Sequence, residues 1–179
     1  MHRNVFLMAL SLLALSCATT PTSGSSETAG WVKVDGEVAE GSQPDFQLPR
    51  IGAPEGVRTL SELRGRVVLV DFWASWCAPC KEAMPFYAGL QKRYSGDLTV
   101  LGVNVDEDVE AMRRSIETSP PAFEVVRDGE GKVVEAFGVE AMPTTFLLDR
   151  EGKVVLVHRG FVQSDRDAFE RIVQNLIER

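Results

Sequence analysis

The sequence predicts an α/β domain in which helices flank a central mixed sheet, with an N-terminal β extension and a central αβ insertion. Three observations lead to that reading. Val67 to Trp73 is a near-continuous apolar run, the pattern of a strand covered on both faces. Directly after it, Trp76-Cys77-Ala78-Pro79-Cys80 opens a segment with helical periodicity. Near the C-terminus, Thr144 to Leu148 and Lys153 to Val157 flank the turn Asp149-Arg150-Glu151-Gly152, a hairpin signal, and an amphipathic stretch follows. A length of 179 residues suits one domain, and 44% hydrophobic residues are ample for its core.

The chain opens with a leader pattern. His2-Arg3 precede a mostly apolar run from Val5 to Ser16, too short to span a bilayer comfortably, where about 20 residues are needed. A short basic region, an apolar core and small residues before a cut site make a secretory signal. Ala14-Leu15-Ser16-Cys17 resembles a bacterial lipoprotein signal, in which the Cys becomes the lipidated first residue. The alternative is an ordinary signal that leaves Cys17 free or removed. Ala18 to Gly30 is rich in Thr, Ser, Gly and Ala and reads as a flexible tether. The expected organisation is therefore a signal over 1–16, a lipidated Cys17 with its tether over 17–30, and a folded domain over 31–179. The expected location is the cell envelope, facing the periplasm. Ala18, in place of an inner-membrane-retaining aspartate, tilts the expectation toward the outer membrane.

Within the domain, Trp31 to Glu40 alternates loosely and suits an added strand or hairpin arm. Pro and Gly bound short strands between Gln43 and Gly65, which predicts an antiparallel extension. Residues 79–94 place Met84, Tyr87, Ala88, Leu90 and Tyr94 at helical spacing, with Pro85 expected to kink the helix. Leu98 to Val105 reads as a second buried strand. Asp106 then offers itself as N-cap of a helix carrying Val109, Met112 and Ile116. Pro120-Pro121 ends that helix, Phe123 to Val126 is a short strand, and Val133 to Phe137 a helical turn. After the hairpin, Ser164 and Asp167 stand at capping spacing before the apolar face of Ala168, Phe169, Ile172, Val173, Leu176 and Ile177.

The C-x-x-C spacing puts two sulfurs within reach of one disulfide, and a helix N-terminus favours a thiolate on the first. Strand before and helix after, it reads as a redox motif. Haem attachment would need His after the second Cys, and residue 81 is Lys. A closed zinc site wants four ligands, and outside the leader only Cys77, Cys80 and His158 remain. A purely structural bridge over so small a loop would restrain the unfolded chain weakly. No metal or other cofactor is called for, and His158 reads as structural. The formal net charge of −7, lowered further if Arg3 leaves with the leader, argues against nucleic-acid binding.

Several separated motifs resemble the TlpA/ResA (DsbE-like) branch of the thioredoxin superfamily, extracytoplasmic and membrane-anchored thiol–disulfide oxidoreductases. Pro44-Asp45-Phe46-x-Leu48-Pro49 and Leu60-x-x-Leu63-x-Gly65-x-Val67-Val68-Leu69-Val70 are similar to its N-terminal signature. Phe72 through Cys80 is similar to its active site, and Gly138-Val139 through Pro143-Thr144-Thr145-Phe146-Leu147-Leu148-Asp149 to its cis-proline segment. The resemblance implies a thioredoxin fold, with Cys77 as the exposed nucleophile and Cys80 as the more buried resolving thiol. It implies a cis Pro143 facing the sulfurs, with Trp76, Ala78, Pro79, Met142 and Pro143 meeting the substrate. Asp71 falls where plain thioredoxins bury the acid that handles the second cysteine's proton, and burial would raise its pKa toward neutrality. Thioredoxin's lysine near that acid corresponds to about Gly102, and the branch's frequent Glu after the second Cys is Ala83, with Glu82 on a different helix face.

The implied function is reduction of disulfides in exported proteins, with electrons resupplied by a membrane thiol reductase. Family members of this kind serve cytochrome c biogenesis or metal-site thiols. The rival readings are a disulfide donor, a thiol peroxidase acting through one low-pKa Cys, and a copper-binding or delivery protein using Cys and His.

Overall fold

A strand buried on both faces needs a layer of side chains above it and another below, and the chain supplies both. The computed structural model describes residues 31–33, 44–52 and 54–179. The leader, Cys17 and the tether lie outside them. In chain order the first elements are β1 (Trp31–Lys33), β2 (Gln47–Ile51), β3 (Val57–Thr59), β4 (Val67–Trp73) and α1 (Ala78–Arg93). Then come β5 (Leu98–Asn104), α2 (Val109–Thr118), β6 (Glu124–Arg127) and α3 (Lys132–Ala136). The hairpin β7 (Thr144–Leu148) and β8 (Val154–Arg159) and the helix α4 (Arg166–Ile177) close the chain. Among the described residues one eight-stranded sheet runs in the order β1-β8-β7-β4-β5-β6-β2-β3. Strands β4, β5 and β6 are parallel, and β7 lies antiparallel on the other side of β4.

Strand alternation sorts the core into two layers. Val67, Leu69 and Trp73 of β4 pack with Cys80, Ala83, Tyr87 and Leu90 of α1 and with Phe169 and Val173 of α4. Val68, Val70 and Phe72 pack instead with Phe46, Leu48, Leu60, Leu63 and, from the α3 side, Val133 and Phe137. The two parallel crossovers advance across the sheet in one direction, so the fixed crossover hand puts α1 and α2 on the same face. The opposite face is filled by the N-terminal segment, with Phe46, Phe72, Phe137 and Phe146 in edge-on and tilted ring contacts.

The predicted extension is an antiparallel β2–β3 hairpin that continues the sheet from β6. Arg58 grips Glu124 of β6 through two nitrogens, each 2.9 Å from a carboxylate oxygen, and Arg50 joins the same carboxylate at 2.9 Å. Two-pronged pairing of this kind fixes orientation as well as adding attraction. At the opposite edge, β1 pairs with β8. Helix α1 runs through Pro85 without interruption.

Two helix starts differ from the sequence reading. The N-cap of α2 is Asp108, whose side chain accepts from the backbone N–H groups of Glu110 and Ala111. Asp106 is only 2% exposed and is used elsewhere. Ser164 and Asp167 form no capping box, because a short 3-10 turn over Gln163–Asp165 precedes α4. The acid of that turn, Asp165, faces His158 instead, 3.3 Å from Nε2.

Gly102 pairs with Asp71 across β4 and β5. A Cβ there would lie 2.9 Å from Phe123 Cε2 and 3.1 Å from Trp73 Nε1. Aromatic rings therefore occupy the space that a lysine at this position would need. Gly102→Ala is expected to destabilise the protein by about 1–3 kcal/mol, through overpacking against two rings. Chemical denaturation of the two proteins measures it, and equal midpoints would show that the rings yield without cost.

Candidate active site

The C-terminal end of β4 hands the chain to α1 through Ala74-Ser75-Trp76, and this short loop is braced from β5. The carboxylate of Asp106 accepts from the Ser75 backbone N–H and hydroxyl, both at 2.8 Å, and from Asn104 Nδ2 at 2.7 Å. Asn104 Oδ1 accepts in return from the Asp106 backbone N–H. Arg127 donates to the backbone carbonyls of Asp106 and Glu107 from the end of β6. A buried carboxylate with three donors is satisfied, and the loop is held by its own backbone rather than by side-chain packing alone.

Cys77 is the N-cap of α1, with Ala78, Pro79 and Cys80 in the first turn. Cys77 and Cys80 are joined by a disulfide, their Cα atoms 5.3 Å apart. Cys77 Sγ accepts the Cys80 backbone N–H at 3.2 Å. That N–H is one of the donors a helix leaves unpaired at its start. The same donor and the helix dipole favour negative charge on Cys77 once the bridge opens. Pro79 suits the first turn because its missing N–H is not needed there.

The surface differs from the sequence expectation at one point. Cys77 is only 4% exposed in the disulfide, against 0% for Cys80, because its sulfur is turned back onto the helix start. Trp76 is 71% exposed, and Ala78 and Pro79 are exposed beside it. Pro143 is buried, Met142 half-buried, and the peptide bond between them is cis. The Pro143 carbonyl accepts from Gly160, and the Thr144 hydroxyl donates to Ala141, so this turn is fixed at both ends.

Asp71 is fully buried in β4, and its odd-numbered position faces the layer that contains both cysteines. Burial pushes its carboxyl up to about 8, opposed by the Thr145 hydroxyl, which donates to Oδ1 at 2.9 Å. Tyr87 of α1 lies 2.9 Å from the same Thr145 oxygen. His158 is on the same side of the sheet one strand further out, opposite Thr145. Burial lowers its pKa, with Asp165 opposing. Ala83 is fully buried and Glu82 exposed, so neither supplies a second acid to the buried layer.

Asp106, Ser75, Thr145 and Tyr87 are missing from the sequence-derived site. Tyr87 had a signal: a phenol on the apolar face of a helix needs a polar partner when buried. Thr145 and Asp106 gave none beyond their neighbours, because Asp71 and Tyr87 for the one and Ser75 for the other lie far along the chain.

A strand, a dithiol at the following helix start, a cis-proline turn beside the same sheet end and a buried acid define a thioredoxin-type thiol–disulfide oxidoreductase. The model of the Redoxin family matches residues 39–173, and the chain belongs to that family. It is 36% identical to the thiol-disulfide oxidoreductase ResA of Bacillus subtilis over 161 residues, 88% of this chain and 86% of ResA. A crystal structure described as a thiol:disulfide interchange protein DsbE from Chlorobium tepidum is 39% identical, with a TM-score of 0.72, covering 76% of this chain and 95% of that one. The exposed lipoprotein thioredoxin Etrx1 of Streptococcus pneumoniae is 29% identical with a TM-score of 0.65, covering 74% and 100%. The chain is therefore a thiol–disulfide oxidoreductase of ResA/DsbE type that carries a Cys77–Cys80 pair.

The raised carboxyl of Asp71 makes stability depend on pH with a definite sign. The folded chain keeps this proton up to about pH 8, while the unfolded chain gives it up near 3.8. Between those values the native state binds more protons, so stability falls as pH rises and levels off above the folded pKa. Asp71→Asn, neutral throughout, should remove that slope, on the order of a few kcal/mol in total. Denaturation of the oxidised proteins from pH 4 to 9 measures it. Parallel curves for the two would mean that Asp71 is ionised in the core.

Proposed function

We propose that this protein is an extracytoplasmic, lipid-anchored reductase of disulfides in exported proteins. The observation that carries the chemistry is the Cys77 sulfur at the N-cap of α1, receiving the Cys80 N–H at 3.2 Å. In the reduced enzyme the Cys77 thiolate attacks one sulfur of a substrate disulfide. A Cys77–substrate bond forms and the substrate's other sulfur leaves as a thiolate. Cys80 loses its proton and attacks Cys77, which releases the second substrate sulfur and closes the enzyme disulfide. Two electrons pass to the substrate together with the Cys80 proton, and the second substrate thiolate takes its proton from solvent. Asp71 is the acid–base group for the Cys80 proton, since its carboxyl titrates near the working pH and shares the Cys80 layer.

Trp76, Ala78 and Pro79 form the exposed rim of the pair, and Met142–Pro143 the opposite wall of the substrate site. A membrane thiol reductase must then restore the dithiol, because an oxidising compartment does not. The reducing direction rests on the resemblance to the ResA branch. The reduction potential tests it, measured by equilibration against glutathione: the expected value is near the roughly −270 mV of thioredoxin. A value near roughly −120 mV would make the protein a disulfide donor instead.

Cys17 is the proposed anchor, supported by the small-residue pattern before it and by the similarity to a lipoprotein thioredoxin. Among the described residues no helix is long and apolar enough to cross a membrane. Cys17→Ser is expected to move the protein from the membrane fraction to the soluble fraction and to abolish incorporation of labelled fatty acid. Unchanged fractionation and labelling would refute the anchor without touching the redox chemistry.

A further inference from the structure

The buried hydroxyls around Asp71 form a chain with a direction. Thr145 has one hydroxyl hydrogen, and it is given to Asp71 Oδ1 at 2.9 Å. Tyr87 Oη is 2.9 Å from Thr145 Oγ1, so with the threonine hydrogen committed, Tyr87 is the donor. Tyr87 and Thr145 are 0% and 1% exposed, so water does not compete for either contact. The other carboxyl oxygen, Oδ2, is buried with no hydrogen-bond partner. The two oxygens of one carboxyl are thus unlike: Oδ1 receives a hydrogen bond and Oδ2 is bare.

We propose that Tyr87 and Thr145 are positioning residues for the redox reaction, a directional hydroxyl chain that reserves Oδ2 of Asp71 as the proton-carrying oxygen. The inference rests on Asp71 being the proton carrier for Cys80. An acid occupied at Oδ1 by a donor holds its own proton on Oδ2. Transfer therefore uses one fixed oxygen and needs no rotation of the carboxyl. The chain also links three segments of the site: β4 through Asp71, the cysteine helix α1 through Tyr87, and the cis-proline strand β7 through Thr145. Tyr87 is wedged among Phe86, Phe161 and Phe169, which fixes its ring and the aim of its hydroxyl.

The groups facing Asp71 from neighbouring elements are few. Strand β5 offers Gly102, β7 offers Thr145, and α1 offers Tyr87 and Cys80 to the same layer. His158 on β8 stands beyond Thr145 in the same row and is held to Asp165, and α4 offers the apolar Phe169 and Val173.

The test is the titration midpoint of the Asp71 carboxyl carbon, followed by NMR in the oxidised full-length protein. Thr145→Val removes the donor to the charged form and should raise the midpoint by about one pH unit. Tyr87→Phe, which deletes one oxygen, should raise it less by weakening the Thr145 donor. Thr145→Ser restores a hydroxyl and should return the midpoint to near the wild-type value. A Tyr87→Phe midpoint equal to wild type overturns the chain, and that variant decides the question if Thr145→Val does not fold. The parent reading is tested apart, by the pH profile of thiol–disulfide exchange in Asp71→Asn. If the alkaline limb of that profile survives the substitution, Asp71 is not the proton carrier and the positioning role falls with it. If the limb disappears while the Thr145 and Tyr87 variants leave the midpoint in place, only the hydroxyl chain is lost.

Discussion

The structure depends on the burial of β4 on both faces. All seven of its residues are buried, and it is paired to β5 on one side and β7 on the other. A strand in that position requires two complete layers, and the layers dictate what else the chain must provide. The helices α1 and α4 answer one face, and the N-terminal segment with α3 answers the other. Because β4 is central, its C-terminal end opens at the middle of the sheet rim. The helix that starts there therefore begins between neighbouring strand ends, where Asp106, just past β5, braces Ser75, and the Met142–Pro143 turn, just before β7, lies at the same rim.

Polar residues inside this apolar frame specify its register. Gly102, Asp71, Thr145 and His158 lie opposite one another on four adjacent strands. A one-residue slip of β4 would turn Asp71 into the opposite aromatic layer and point Phe72 at the cysteine layer. The carboxyl would lose its hydroxyl donor, and a buried polar group without a partner is costly. The buried acid is thus also a marker that admits a single alignment of three strands. Gly102 completes the row by omission, since the rings of Phe123 and Trp73 fill the volume above it.

Much of this was legible in the sequence because it is local. The apolar run Val67 to Trp73 is β4 as observed, and the C-x-x-C at its end could be placed on a helix start from five residues. The hairpin was announced by its turn, and the burial of Asp71 by the apolar neighbours that surround it. What could not be read depends on partners far along the chain. Asp106 and Asp108 are both acids ahead of the same helix, and only the position of Ser75 makes one a brace and leaves the other to cap. Tyr87 counted correctly as a core position, yet its hydroxyl partner lies on β7. Ser164 had the spacing of a cap, but the demand of His158 for Asp165 reshaped the turn before α4.

Among the described residues, the margin of the sheet beyond β2 is β3, a strand of three residues. So brief a margin offers little backbone for another chain to pair along, which natural sheets use to resist lateral joining. On that side the sheet is blunted, and the Cys77–Cys80 disulfide lies away from it, at the C-terminal end of the central β4. A polypeptide that reaches the disulfide at this rim finds no lateral track beyond β3 along which to extend the sheet.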